Sequence, residues 1–315
     1  MRRLPLAAVF LACALTPASA LNEEAVTAPF RLADYVETVA PMDVEGIEDS
    51  LANILKRHYR SAFGGPENWA AIESFKFDGR LSMADGRALD FVALKKKPAL
   101  CKVELTGPTG EKLVMGYDGR DAWQLATAAD PAPVDMPGGE ALNFIRDAVT
   151  SNHLLYPKLP GKTIRLTGSE RVGEELCYLL EVRLPNGQTI EYALDAGDFT
   201  ERRRRVVNAQ TGLTETILQF DHERIERVAV ARRSELYVGG EPEHTILLES
   251  VRMNTGVTRW MFSRDSAKYL AQPAAGEVPA IPETPDTPFG TRFQAESPFD
   301  AAMEEVGKDR EDLDR

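Results

Sequence analysis

The sequence predicts a mainly β protein built on one antiparallel sheet, with helices at its start and middle. Three observations carry this expectation. From Ser74 onward, apolar and polar residues alternate with a period of two in one run after another. The dipeptides Asp85-Gly86, Asp118-Gly119, Asn186-Gly187 and Gly239-Gly240 separate several of these runs, and strands joined by such tight turns must be antiparallel. Ahead of them, Ile47, Leu51, Ile54, Leu55, Tyr59 and Phe63 recur at three- and four-residue steps, the apolar stripe of an amphipathic helix.

The chain opens on Arg2 and Arg3, followed by an apolar run from Leu4 to Leu15 and the small-residue site Ala18-Ser19-Ala20. This order is that of a secretory signal peptide over residues 1–20, so the expected compartment is the periplasm. The run is too short to span a bilayer, which takes about 20 residues. A rival reading places a lipid anchor on Cys13. Residues 21–44 are expected to form a flexible leader.

The first helix is favoured at its start by Asp43 and Glu45 and stopped by Gly64-Gly65. Pro66 suits the first position of a short second helix carrying Trp69 and Ile72. Phe75, Phe77, Leu81 and Met83 then alternate with Lys76, Asp78, Arg80 and Ser82, giving a strand with one apolar face. Further strands are expected over 89–94, 100–105, 111–117 and 120–125, with Asp118-Gly119 as a two-residue type I′ turn and Lys95-Lys96-Lys97-Pro98 as a solvated charged turn. The β pattern pauses over 126–139. Residues 140–150 read as a helix with Leu142, Ile145 and Val149 on one side and Phe144 adjacent. Strands resume near Thr163 and continue to about residue 253. The domain is assigned to 45–271. Residues 272–315, rich in Pro, Glu and Asp, hold 4 basic and 11 acidic residues and are expected to be a disordered tail, with Phe289, Phe293 and Phe299 as contact points.

Composition narrows the function. The chain carries 37 basic and 49 acidic residues, a net charge of −12. Nucleic acid is not an expected partner, because phosphate contacts need clustered cations. His58, His153, His222 and His244 have no metal-ligand spacing, and no nucleophile elbow or phosphate-binding glycine loop is present. No metal, cofactor or catalytic residue is expected. His58 reads as a surface or boundary residue. Arg202-Arg203-Arg204-Arg205 reads as a solvated strand end; in its sharper reading it contacts anionic head groups or an acidic partner. Cys101 alternates with core positions, whereas Cys177 shares a face with Glu181 and Arg183, so two separate thiols are expected rather than a disulfide.

The order of elements resembles a known family. Ile54 to Tyr59, Phe63-Gly64-Gly65, Trp69 to Ile72 and the strand Phe75 to Met83 resemble the opening of the LolA-like family of outer-membrane lipoprotein-sorting proteins. Gly116-Tyr117-Asp118-Gly119-Arg120-Asp121-Ala122-Trp123 resembles that family's "YDG…W" hairpin, and Glu235 to Gly240 followed by Thr245 to Asn254 resembles its late hairpin. The resemblance covers roughly residues 45–262. It implies a single curved antiparallel sheet, an incomplete β-barrel, wrapped around helices that act as plug or lid. It also implies a non-catalytic carrier that holds acyl chains of lipoproteins or lipids in a concave apolar cavity, with a peripheral membrane encounter.

The candidate lining of that cavity is Phe75, Phe77, Leu81, Met83, Phe91, Met115, Tyr117, Trp123, Phe144, Tyr192 and Phe220, residues that equally could fill a core. No residue here is assigned to the carrier's cavity arginine. The resemblance extends to envelope sensor domains that bind a protein partner, which is the alternative reading. A third reading, a hydrolase, requires an Asp or Glu beside a His or Ser in the cavity.

Overall fold

In a computed structural model, the alternating runs form thirteen strands of one antiparallel sheet. The structure describes residues 28–35, 40–127 and 130–268. The proposed signal peptide, Cys13 and the acidic tail lie outside them. Strand order is β6-β5-β4-β3-β2-β1-β13-β12-β11-β10-β9-β8-β7. The strands are β1 (Ser74–Met83), β2 (Ala88–Lys96), β3 (Leu100–Thr106), β4 (Lys112–Tyr117), β5 (Ala122–Ala126), β6 (Asp130–Asp135), β7 (Thr163–Val172), β8 (Glu175–Arg183), β9 (Thr189–Asp195), β10 (Glu201–Val207), β11 (Thr214–Ile225), β12 (Val228–Val238) and β13 (Glu241–Met253). Two meanders, β1–β6 and β7–β13, therefore meet where β1 pairs with β13, Phe75 opposite Met253 and Met83 opposite His244. The sheet is not closed; β6 and β7 are its two edges.

Register assigns the faces. Phe75, Phe77 and Leu81 of β1 lie opposite Lys95, Ala93 and Leu89 of β2, and the row continues through Cys101, Val103 and Leu105 to Tyr117, Met115 and Leu113. This face is concave. It packs on helix α1 (Asp49–Phe63), whose Leu51, Ile54, Leu55 and Tyr59 are buried, as the stripe predicted. The Glu48 side chain caps the helix by accepting from the amides of Ser50 and Leu51. Gly64, at φ 76°, ends it, and Pro66 opens the short helix α2 (Pro66–Ala71).

The chain has to travel from edge β6 to edge β7, and it does so across the concave face. Helix α3 (Gly138–Asp147) begins this crossing. Residues 148–162 complete it, burying Ala148, Val149, Leu154, Leu155 and Leu159. The segment expected as a leader contributes Phe30 and Leu32 to the same core.

The opposite face is convex and also covered. Val114, Trp123 and Leu125 point to it and pack on Ala267 of helix α4 (Arg264–Lys268), while Leu100 packs on Val257 and Phe262. The Trp123 indole donates to the Phe262 carbonyl at 2.9 Å.

Several local expectations are corrected. At the Asp118-Gly119 turn only Gly119 takes a positive φ, 96°. A type I′ turn needs two such residues; instead the Asp118 carboxylate accepts from the amides of Arg120 and Asp121. The pause over 126–139 contains β6. Lys95 belongs to a strand rather than a turn and faces the core, because β2 runs to Lys96. Lys97 is bound to the Trp69 carbonyl and lies over the Trp69 ring, 4.2 Å from its centroid. Cys177 is fully buried although its register puts it on the outward face. Both cysteines are free thiols. His58 is buried, because it falls on the α1 stripe between Leu55 and Tyr59.

Gly116 sits across from Trp123, and a methyl group there would collide with the indole ring. Gly116→Ala is expected to lower stability by about 1–3 kcal/mol through overpacking, read as a lower urea midpoint. An unchanged midpoint would show that the C-terminal cover is not rigidly seated on this face.

Candidate functional site

The concave face is not filled completely. A cavity of about 340 Å³ remains between α1, the 150–152 segment and strands β1 and β10–β13. Its apolar lining is Ala62, Phe63, Phe75, Phe77, Val228, Val230 and Leu248. The rings of Phe75 and Phe77 stack in parallel with centroids 5.7 Å apart. Its polar lining, interleaved with the apolar residues, includes His58, Lys95, Asn152, Glu201, Gln219 and His222.

The polar lining depends on an irregularity in β10. Against β9, Glu201 pairs with Leu194 and Arg203 with Ala193, so Arg202 is an extra residue in a bulge. Glu201 and Arg204 therefore both project inward despite their odd spacing. Arg203 and Arg205 project outward, where both reach Glu191, at 2.7 and 3.4 Å. Arg202 pairs with Asp195 and Asp198, each at 3.2 Å. The arginine run is thus not a solvated strand end: each of its four members holds a carboxylate, and Arg203 is only 5% exposed.

Inside, Arg204 pairs with Asp147 at 3.1 Å, and Arg146 bridges Asp147 and Glu215 at 2.7 and 3.3 Å. Burial raises the Asp147 carboxyl, but the flanking guanidiniums of Arg146 and Arg204 outweigh it and hold it far below the carboxylate range. Lys95 donates to the carbonyls of Asp147 and Val149 at 2.8 and 3.0 Å. It thereby satisfies the C-terminal end of α3, where a cation is also favoured by the helix dipole. Burial pulls the Lys95 ammonium down.

Beside this cluster, Gln219 donates to Glu201 at 2.8 Å and Asn152 to the His58 Nε2 at 2.8 Å. The His58 Nδ1–H donates to the Phe199 carbonyl at 2.7 Å. Burial pushes the Glu201 carboxyl up and the His58 imidazole down, so His58 is neutral with both nitrogens engaged.

An acid beside a histidine is the constellation a hydrolase would need. Here the Nε2 lone pair that would serve as base is already taken by Asn152, and no hydroxyl or thiol is bonded to the ring. Among the described residues no group of three or more His, Cys, Asp or Glu is arranged to hold a metal ion, and no described helix is long and apolar enough to cross a membrane.

The sequence-derived lining residues separate into four groups. Phe75 and Phe77 line the cavity. Leu81, Met83 and Phe91 lie farther along the same face in a cluster with Leu89, Leu105 and Leu113, and Met115 joins that cluster to the main core. Tyr117 and Tyr192 are core residues with no exposure; Tyr117 donates to the Gly119 carbonyl and Tyr192 accepts from the His153 amide. Phe144, on α3, packs half-buried on that core. Trp123 faces the convex side, and Phe220 lies under the Arg233 guanidinium, 3.9 Å from it, outside the cavity. Sequence reasoning missed Val228, Val230, Leu248, Asn152, Glu201 and Gln219. His58 was detectable from its place on the helical stripe. Glu201 was not, because the bulge leaves no mark in the hydropathy pattern.

An open β half-barrel, closed over a small cavity by helices on its concave side, is the class of protein these observations define. The chain is similar to the crystal structure of a DUF1329 family protein from Desulfovibrio piger, with a TM-score of 0.50 and 12% identity over 70% of this chain and 98% of that one. This likeness shows a shared fold. A putative outer membrane lipoprotein-sorting protein domain from Vibrio parahaemolyticus (TM-score 0.44, 11% identity, 70% and 97% covered) is also similar. So is a LolA superfamily protein from Nitrosomonas europaea (0.46, 16%, 68% and 97%). No protein-family model matches the sequence, and no curated protein sequence does.

His153, within the crossing segment, donates from Nε2 to the Arg146 carbonyl at 2.9 Å, and burial lowers its pKa to about 3. The folded protein therefore refuses a proton that the unfolded chain takes up near pH 6.5, so stability is full above that pH and falls as pH drops from 6.5 toward 3. His153→Gln, which keeps a donor, is expected to reduce the slope of unfolding free energy between pH 6 and 4.5 by up to about 1.4 kcal/mol per pH unit. An unaltered slope in urea titrations would rule out this assignment.

Proposed function

We propose that this is an exported, non-catalytic binding protein that holds an acyl chain of a lipoprotein or lipid in the concave cavity, acting as a carrier in the cell envelope. The observation that carries the reading is a cavity on the concave face whose lining includes the parallel Phe75 and Phe77 rings with Val228, Val230 and Leu248, interleaved with a few hydrogen-bonding groups. Its volume of about 340 Å³ lies at the lower end of the range for ligand pockets, about 300–1,000 Å³. At about 30 Å³ per water-sized group it takes about ten methylenes. Burying them at about 0.8 kcal/mol each gives roughly 8 kcal/mol before the cost of association. The export signal read at residues 1–20 supports an envelope location, and the shared half-barrel fold supports a binding role.

Two substitutions test the reading. Phe77→Glu places a charge in the apolar lining, and Ala231→Trp fills the cavity. Both are expected to weaken binding of a fluorescent fatty acid at least tenfold, with circular dichroism and a cooperative urea transition confirming that each variant is folded. Native mass spectrometry of protein purified without detergent should show bound lipid that both variants lose. A protein that is lipid-free and takes up no added acyl chain would transfer the assignment to the alternative, a domain of the same fold that binds a protein partner.

A further inference from the structure

A second cavity of about 340 Å³ lies on the convex face, separated from the first by the thickness of the sheet. Its floor is Val92 and Leu94 of β2. Its sides are Lys76 of β1, Lys102 and Glu104 of β3, and Arg252 of β13. Thr255, Val257 and Met261 of the C-terminal cover form its roof.

Strand register sorts the charges into two rows. Arg252, Lys76, Leu94 and Lys102 are successive cross-strand partners, so one row carries three cations around a leucine. The neighbouring row, Ser250, Asp78, Val92 and Glu104, carries two acids around a valine. Asp78 is shared by Lys76 and Arg252, at 3.2 and 3.1 Å. Glu104 is held by Lys112 at 2.5 Å. The pocket and its rim thus hold four cations against two acids. Lys102 is half-buried, and its ammonium makes no side-chain hydrogen bond or close ion pair among the described residues. Burial lowers its ammonium pKa, against the attraction of Glu104, which Lys112 already holds. A partly desolvated ammonium beside an apolar floor, with its nearest carboxylate already engaged, leaves hydrogen-bonding capacity for an anion.

We propose that this convex-face pocket binds a short- or medium-chain anionic amphiphile, its carboxylate or phosphate held by Lys102 beside Arg252 and Lys76, and its apolar chain lying on Val92 and Leu94 beneath Val257 and Met261. The volume sets the chain length. At about 30 Å³ per water-sized group, the pocket holds about ten such groups, the size of a fatty acid of eight to ten carbons rather than a whole phospholipid tail. This site is independent of the concave cavity, because the two are lined by opposite faces of the sheet.

Isothermal calorimetry of the full chain with decanoate, and with decanol as the uncharged counterpart, tests the assignment. The parent is expected to bind one equivalent of decanoate that Lys102→Met weakens at least tenfold, with decanol little affected. Leu94→Trp, which fills the pocket, should remove the same equivalent, and Phe77→Glu on the other face should leave it in place. Circular dichroism confirms that each variant is folded. Decanoate binding that is identical in the parent, Lys102→Met and Leu94→Trp would overturn the proposal. So would loss only in Phe77→Glu, which would assign the ligand to the concave cavity. Flotation with phosphatidylglycerol vesicles separates a free anion from a membrane headgroup: association should be independent of Lys102. An association that needs Lys102, with no decanoate bound, would replace the pocket proposal with a membrane-contact surface.

Discussion

The pairing of β1 with β13 is the constraint from which the rest of the architecture follows. It joins two meanders into one sheet and leaves β6 and β7 as distant edges. The connection between those edges then has to cross a face of the sheet. It crosses the concave face, as α3 and residues 148–162, and so brings backbone carbonyls into a region where apolar side chains alone would leave them unsatisfied. The buried cations answer that need. Lys95 binds the carbonyls of Asp147 and Val149, and Lys162 that of Tyr156. The charged interior is thus a consequence of topology, and the cavity's polar lining is its exposed border.

Much of the sheet was readable from residues 74–125 and 163–253, because alternation and turn residues are local signals. The α1 stripe was readable for the same reason. What sequence could not supply was anything decided across the sheet. Trp123 looked like a cavity residue, yet register puts it on the convex side, under a C-terminal cover whose apolar residues Val257, Phe262 and Ala267 are too scattered to announce a docking segment. Lys95 looked like part of a solvated turn because a lysine triplet is usually hydrated; the carbonyls that bury it come from a segment more than 50 residues away. Arg202 to Arg205 looked solvated because their acidic partners Asp147, Asp195, Glu170 and Glu191 are on other elements. Of the candidate lining residues, Phe75 and Phe77 line the concave cavity, which forms at the seam strands β1 and β13 and continues to β10.

The two faces of the sheet use charge differently. On the concave side, Asp147, Arg146, Arg204 and Glu215 neutralise one another, and the hydrogen bonds of His58, Asn152, Glu201 and Gln219 close on themselves. Such a network fixes the position of the crossing segment and leaves little unpaired charge for a ligand. On the convex side the charges lie in rows set by strand register, and cations exceed acids. Around the convex pocket on β1, β2, β3 and β13, the sheet therefore presents more cations than acids, whereas its concave side is closer to neutral.

The joining of β1 to β13 also bears on how the molecule comes together in time. Residues 84–240 separate the two strands. Every other pair in the sheet links neighbours in sequence, each pair able to zip from its own turn. The seam between the meanders is the one pairing that must close a long loop first, the kind of contact that slows folding most. Until β13 is available, β1 is left with an open flank, its unpaired N–H and C=O groups lying beside the apolar rings of Phe75 and Phe77. The order of synthesis thus makes the final strand the one that seals the sheet.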